Sequence, residues 1–575
     1  MEALDKKTHD VQYVEDGKTI LHHDDKAIEV YRRNEANEAT AAEHSLGVWQ
    51  ACKRYPKAVA WSAVVSLCII MDGYDNALMG SLFGFPAFQK YYGHPEPGKP
   101  GKYQLDPTWQ SALSFGSPVG NFIGVLINGL MTEKFGHKPV AFGALAAITA
   151  LIFIQFFATD VSTLFAGQLL VGVPVGVFST LAPAYASEVA PVALRSYFET
   201  WVVSCWGIGQ FLSYAVILTL NTRMDHWAFR IPFAVQWVWP VIIAPILIFC
   251  PESPWWYVQH QRYDQAKTSI KRLLSSKNIE TSLDEEAEKQ LALMIETDKF
   301  EKAQHATASF VSCFQGDNIW RTEIACFSWA SQIWTGFAIS SSASYFFQQA
   351  GLSANNSYKM SLGQGGIHLA CNWISAWLSG PYGRRWPYII GCAFMTVMMI
   401  IIGILSSIPQ TGTPIGFATS AVYLVWYAAW CLTLGPLPYI IVSDYLPRRH
   451  SIEMEGVEGG RKESRAEVTK RLTWELRSKT FILSRNSYVI FNIVQSVAAP
   501  YILNPEAANW KGKVGYLTAG LILLCMIWAY FRLPETKGRT FEELDILFSR
   551  KSTNAKNFGK AVIIRDGSEV DVQYH

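Results

Sequence analysis

Residues 58–83 read AVAWSAVVSLCIIMDGYDNALMGSLF, an apolar run broken near its middle by Asp72 and Asp75. About 20 apolar residues suffice to cross a bilayer as a helix. An ionised side chain at that depth costs roughly 2.5–3.5 kcal/mol on insertion scales, so intramembrane carboxylates face a wet cavity or a partner. Positions three apart share a helix face. The pair is therefore expected to point together into a polar pathway rather than into lipid.

The rest of the chain extends this reading. Charged residues make up 17% of the 575 positions, against about 25% in soluble proteins, and they collect in the tails and two internal segments. Twelve spanning candidates result, the first at Ala58–Phe83, the eleventh at Thr480–Leu503 and the last at Val514–Phe531. The fold class expected is an all-α membrane protein with two six-helix bundles, residues 58–250 and 321–532. A cytoplasmic central loop, 251–320, lies between them, with amphipathic helices at Asp264–Leu274 and Leu283–Lys302. Tails at 1–57 and 533–575 complete the division. Two six-helix halves around a midplane site is the plan of major facilitator transporters.

Lys and Arg gather in the central loop, around Arg448–Lys479 and in both tails, which places these in the cytoplasm. The first 57 residues lack the basic-then-apolar order of a cleavable signal. The sequon at Asn355 then falls in an outer loop and is a candidate glycosylation site. Ten cysteines without C-x-x-C spacing read as free thiols. With no phosphate-binding loop, metal-ligand cluster or soluble nucleophile constellation, the sequence points away from an enzyme, a cofactor and a bound metal. The net charge of +2 gives no sign of nucleic-acid binding. The expected partners are the lipid bilayer, a small solute and protons, with the chain a monomer.

Pro251-Glu252-Ser253-Pro254 after the sixth helix and Pro534-Glu535-Thr536-Lys537-Gly538 after the twelfth resemble paired signatures of the sugar porter family. Pro183-Ala184-Tyr185-Ala186-Ser187-Glu188, with Pro191 and Arg195, is similar to that family's P-x-Y-x-x-E…P…R motif. Gly383-Arg384-Arg385 is similar to its G-R-R loop, and Gly136-His137-Lys138 is a weaker copy. Within the family the chain looks most like fungal maltose and general α-glucoside permeases. The residues suggesting this are Asp72-Gly73-Tyr74-Asp75, Gln332 with Gly336, Ser484-Arg485-Asn486 and Asn504-Pro505.

The resemblance implies a secondary active transporter that takes up an α-glucoside or related oligosaccharide with a proton. It assigns coupling to acids in the first helix, here Asp72 and Asp75, and to Arg485. It also implies an ion-pair network that ties the halves together when the cavity opens outward. The residues matching that network are Glu188, Arg195, Glu252, Arg384, Arg385, Asp444, Arg477 and Glu535. Two departures stand out. An acid of the maltose symporters is Asn121, and the arginine of many proton-linked monosaccharide porters is Gln168.

Sugar sites join hydroxyl-binding amides to aromatic faces. The candidates are Gln210, Gln332, Asn372, Tyr439 and Trp334, with Asn121 as an outlier. Ile333 and Ala338 replace family amides, which favours a larger or different substrate than a hexose. Gly172, Pro174 and Gly176 in the fourth helix correspond to Gly435, Pro436 and Pro438 in the tenth, and both sets mark bending points. Arg448–Trp474 is either a polar cytoplasmic insert or a translated intron. A transporter or exporter of another small molecule such as a polyol or secondary metabolite, a uniporter, and a non-transporting sugar sensor are the alternative readings.

Overall fold

The computed structural model describes residues 52–53, 55–95, 101, 103–189, 194–274, 282–304, 310–316, 318–408, 413–445, 465–536, 547–548, 555, 558, 561–566 and 569–574. The side chains of Arg195, Asp444 and residues 465–479, Arg477 among them, lie outside that description.

The described residues make twelve helical passes. Among the described residues, nine helices are long and apolar enough to cross a membrane alone. They are the first to sixth (Pro56–Leu82, Pro107–Phe135, His137–Phe157, Val161–Val189, Thr200–Leu220, Trp227–Ile248), the ninth (Arg385–Ser407), the tenth (Pro414–Val442) and the twelfth (Lys511–Arg532). The other three passes are more polar or interrupted. The seventh starts as Asn318–Gln332, passes through a π-helical turn at Ile333–Phe337 and ends as Ala343–Gln349. The eighth is Ala354–Tyr382 and the eleventh Arg465–Leu503. The eleventh therefore begins inside the inserted stretch, earlier than the apolar run starting at Thr480 suggests. We call the face where the first helix starts and the twelfth ends proximal, and the opposite face distal.

Lipid supplies no hydrophobic drive between helices, so transmembrane bundles close on small residues that let backbones touch. The second and fourth helices follow this rule. A Cβ on Gly120 would stand 2.1 Å from the Leu169 carbonyl oxygen, and one on Gly124 2.0 Å from that of Val173. From the other side, a Cβ on Gly176 would meet the Asn121 carbonyl at 2.2 Å. The first and fifth helices meet in the same way, through Gly73 against Trp206 and Gly209 against Ile70.

The two sets expected to mark bending points differ in form. The fourth helix runs unbroken through Pro174 and Pro183, and its glycines serve close packing. The tenth does break, between Leu432 and Leu437. In the seventh, the turn at Gly336 has φ +112°, and a Cβ there would lie 2.7 Å from Trp426. Only glycine meets both demands.

Between the halves, the helices Tyr263–Leu273 and Leu283–Gln304 lie along the proximal face. Ile270, Leu273 and Ala287 pack with Tyr55 and Ala58 at the base of the first helix. At the distal face the two halves touch directly. Gln104 donates to the Tyr345 hydroxyl at 2.7 Å, Asn504 to the Leu105 carbonyl at 3.1 Å, and Tyr358 to the Ser81 carbonyl at 3.4 Å. The Glu506 carboxylate lies 3.0 Å from His94, and a Cβ on Gly80 would fall 1.9 Å from the Ser341 carbonyl. The distal entrance is closed in this conformation.

Two valine substitutions in the second helix test the seam. Gly120→Val forces a side chain into backbone that has no room to yield, at or beyond the upper end of the ~1–3 kcal/mol typical of overpacking. Gly129, exposed with nothing within 4 Å of a built Cβ, is the control. Fluorescence-detected size exclusion of detergent extracts should show the monodisperse peak lost for Gly120→Val and kept for Gly129→Val.

Candidate functional site

A water-accessible cavity of about 130 Å³ lies between the two halves near mid-depth. Asp72 from the first helix, Asn121 from the second, Gln332 from the seventh, Asn372 from the eighth, Tyr439 from the tenth and Arg485 from the eleventh all line it. Asp72 is half-buried and makes no hydrogen bond or ion pair among the described residues. The Arg485 guanidinium is held by aromatic faces, with its carbon 4.7 Å from the Trp329 ring centre and 4.8 Å from that of Tyr488. Such stacking fixes a cation while leaving its donors available. The cavity thus contains a carboxylate and a guanidinium that are not locked together.

Asp75 is placed differently, which corrects the expectation that both acids point the same way. It is buried and accepts from Gln168 Nε2 at 2.7 Å and Gln236 Nε2 at 3.3 Å. Gln168 in turn accepts from Gln155 at 2.7 Å. Asp75 therefore ends an amide chain inside the first half, behind the cavity. Three helical steps leave two side chains about 60° apart around the axis. That offset separates a cavity-facing position from one facing the fourth and sixth helices.

The amide and aromatic candidates also divide. Gln332 faces the cavity and donates to the Gly435 carbonyl and, at 3.3 Å, to that of Leu434, so it braces the break in the tenth helix. Asn372 crosses between halves, donating to Ser204 Oγ at 2.8 Å and the Thr200 carbonyl at 3.1 Å. Gln210 does not line the cavity. It is buried, accepts from the Tyr427 hydroxyl at 3.2 Å and links the fifth helix to the tenth. Trp334 packs edge-on against Phe327 and Phe491, also away from the cavity.

Sequence reading passed over several lining residues, among them Asn76, Trp206, His368, Trp430 and Asn492. For His368 the signal was present, because an ionisable residue inside a spanning segment is a site candidate by default. Its Nδ1 lies 2.9 Å from the Tyr427 hydroxyl, while Nε2 has no hydrogen-bond partner among the described residues.

The motif glutamates build two matching joints at the proximal face. Glu252 accepts from the backbone N–H groups of His137 and Lys138, both at 2.9 Å, and from that of Ser253 at 3.0 Å. Glu535 accepts from those of Arg384 at 3.0 Å and of Arg385 and Thr536, both at 3.1 Å. Each carboxylate caps the start of the third or ninth helix, whose first N–H groups lack intrahelical partners and carry the positive end of the helix dipole. Gly136 and Gly383 precede these caps with φ of +90° and +76°. A Cβ on either would collide with the glutamate, at 2.8 and 2.7 Å.

Lys138 donates to the Cys250 carbonyl at 3.0 Å, and Arg385 to that of Tyr530 at 2.8 Å, so each cation covers the end of its half's last helix. Glu188 accepts from the Ser253 hydroxyl and lies 3.6 Å from His137. All these contacts of Glu188, Glu252, Arg385 and Glu535 stay within one half. The network expected to tie the halves together belongs to the state open on the distal side, whereas here the distal side is the closed one. Asn355 is likewise not in a loop. It stands in the first turn of the eighth helix with its amide oxygen 3.3 Å from Asn221 Nδ2, and Ser357 of the sequon is fully buried.

Residues 61–450 and 472–548 match the family described as "Sugar (and other) transporter". The chain belongs to this sugar transporter family. It is 34% identical over 533 residues to a maltose permease of Saccharomyces cerevisiae, covering 91% of this chain and 81% of that one. It is 32% identical over 541 residues to a general alpha-glucoside permease of the same yeast, covering 93% and 82%. Among solved structures it resembles a major facilitator superfamily proton:xylose symporter bound to 6-bromo-6-deoxy-D-glucose, with a TM-score of 0.63 and 17% identity over 86% of this chain and 99% of that one. An inward open xylose transporter from E. coli gives 0.61 at 19% identity over 85% and 99%. The fold is the twelve-helix major facilitator fold, and the protein is a multi-pass membrane transporter rather than an enzyme. The unmatched stretch between 450 and 472 falls within the insert that starts at Arg448.

In this member of the sugar transporter family, Glu252 lies outside the spans. Burial works to raise its carboxyl, but bonds from His137 and from the Lys138 and Ser253 N–H groups hold it below the usual glutamate value. A depressed value in the folded state means the stabilisation is complete above the unfolded value, about pH 4.3, and is lost as pH falls through the folded value. Glu252→Gln should therefore cost about 2 kcal/mol near neutral pH, in the range for bonds to a charged acceptor. Thermal melts of both proteins should show a constant gap from pH 8 to pH 5.5 that narrows below pH 4.

Proposed function

We propose that this transporter carries an α-glucoside, maltose or a related oligosaccharide, into the cell together with a proton. The proximal face is then cytoplasmic, both termini lie inside, and the membrane is the plasma membrane. The observation that carries the reading is Asp72: a carboxylate in a mid-depth cavity, with neither a hydrogen bond nor an ion pair among the described residues, opposite an arginine held by aromatic faces. A group so placed can load a proton from one side and release it to the other as the halves rock. Arg485 supplies the compensating charge while Asp72 is ionised. The similarity to yeast maltose and alpha-glucoside permeases supports the choice of sugar.

Alternating access needs a closed gate on one side at a time. The contacts of Gln104, Asn504 and Tyr358 at the distal face supply one such gate. Gln332, Asn121 and Tyr439 surround the cavity as hydroxyl-binding groups, and Trp206 and Trp430 offer flat apolar faces to a pyranose ring. Asp75, already bonded to two glutamines, holds the first, fourth and sixth helices together.

Uptake of labelled maltose into transporter-deficient cells under an imposed pH gradient tests this. Asp72→Asn should lower pH-driven accumulation by about tenfold or more while sugar exchange persists. Asp75→Asn should keep accumulation per folded molecule within about twofold and lower the folded yield. Accumulation that ignores the pH gradient in the unaltered protein contradicts proton coupling, and accumulation of no α-glucoside contradicts the choice of sugar.

A further inference from the structure

A second, smaller cavity of about 60 Å³ lies on the distal side of the first, and Asn76, Ser117, Pro118 and Asn492 line both. The smaller chamber contains an unexplained side chain. Gln110, in the first turns of the second helix, is fully buried, yet neither its amide nitrogen nor its amide oxygen has a hydrogen-bond partner among the described residues. The Tyr345 hydroxyl, which accepts from Gln104 at 2.7 Å, is the polar neighbour of this amide. Buried polar groups are almost always bonded, and an exception calls for a missing ligand or a role. Ser342, at the non-helical joint of the broken seventh helix, adds a hydroxyl to the same wall, while Phe83, Leu113 and Leu503 supply apolar surface.

We infer that this chamber is the binding site for the second ring of a disaccharide whose first ring occupies the Asp72 cavity. An unpaired amide, a hydroxyl and an apolar face form the combination that recognises a pyranose. Because the chambers adjoin through Asn76 and Asn492, one linked molecule can occupy both. A site with a buried amide discriminates against a ligand that fails to bond it. Gln110 therefore selects for length: a one-ring sugar leaves it unpaired and a two-ring sugar completes it. This inference rests on the α-glucoside reading above.

The test is equilibrium binding to the purified full chain in nanodiscs, with maltose as the two-ring probe and methyl α-glucoside as the one-ring probe. The unaltered protein should bind maltose more tightly. Gln110→Leu should weaken maltose binding about tenfold or more and leave methyl α-glucoside unchanged. Ser342→Ala, a milder change in the same wall, should shift maltose alone by about threefold, which keeps the test valid if the leucine variant does not fold. Equal losses for both sugars, or no loss for either, overturn the second-ring site alone. Binding of neither sugar to the unaltered protein overturns the α-glucoside reading and this inference with it.

Discussion

A carboxylate held in mid-membrane without a locked partner is the constraint on which the structure depends. Asp72 survives at that depth because the two halves leave a wet cavity around it and because Arg485 stands across that cavity. Had the arginine closed onto the acid, the pair would be a static buried ion pair, with a desolvation penalty that its mutual attraction barely offsets. Stacking on Trp329 and Tyr488 holds the cation without that closure. The glycine seams of the first half keep its helices close enough to shape the wall that carries Asp72.

Rigid and yielding parts are divided accordingly. In the first half, the second and fourth helices touch backbone to backbone, and Asp75 ties the first helix to the fourth and sixth through glutamine amides. In the second half, the seventh and tenth helices both break beside the cavity, at Ile333–Phe337 and between Leu432 and Leu437. Gln332 bridges these two breaks. At the proximal face, Glu252 and Glu535 repeat one device in each half, a carboxylate that caps a helix and anchors the neighbouring loop. These caps fix the starts of the third and ninth helices to the end of the last helix in the same half.

Much of this was legible in the sequence, and the failures have physical causes. The passes follow from apolar length, except that the seventh, eighth and eleventh are less apolar because they carry cavity-lining groups or a polar extension. The motif glutamates are legible as charged groups at helix ends, but their capping of helices is not. Glu252 and Glu535 also accept from backbone N–H groups, which leave no mark in residue identity. Asp72 and Asp75 were read as one unit because a spacing of three approximates a shared face, and the residual rotation was enough to separate them. Gln210 and Trp334 carry the right chemistry for a sugar site, yet which way a helical side chain faces is decided by neighbours from the other half. Gln110 gave no local signal, since its isolation becomes visible only once the packing around it is known.

The most direct measurement is proton release or uptake on sugar binding, followed by a pH indicator in weakly buffered solution with the purified protein. The account requires that maltose binding change the protonation of the unaltered protein, that Asp72→Asn abolish the signal, and that Asp75→Asn preserve it. An undiminished signal from Asp72→Asn would contradict the claim that this carboxylate carries the proton.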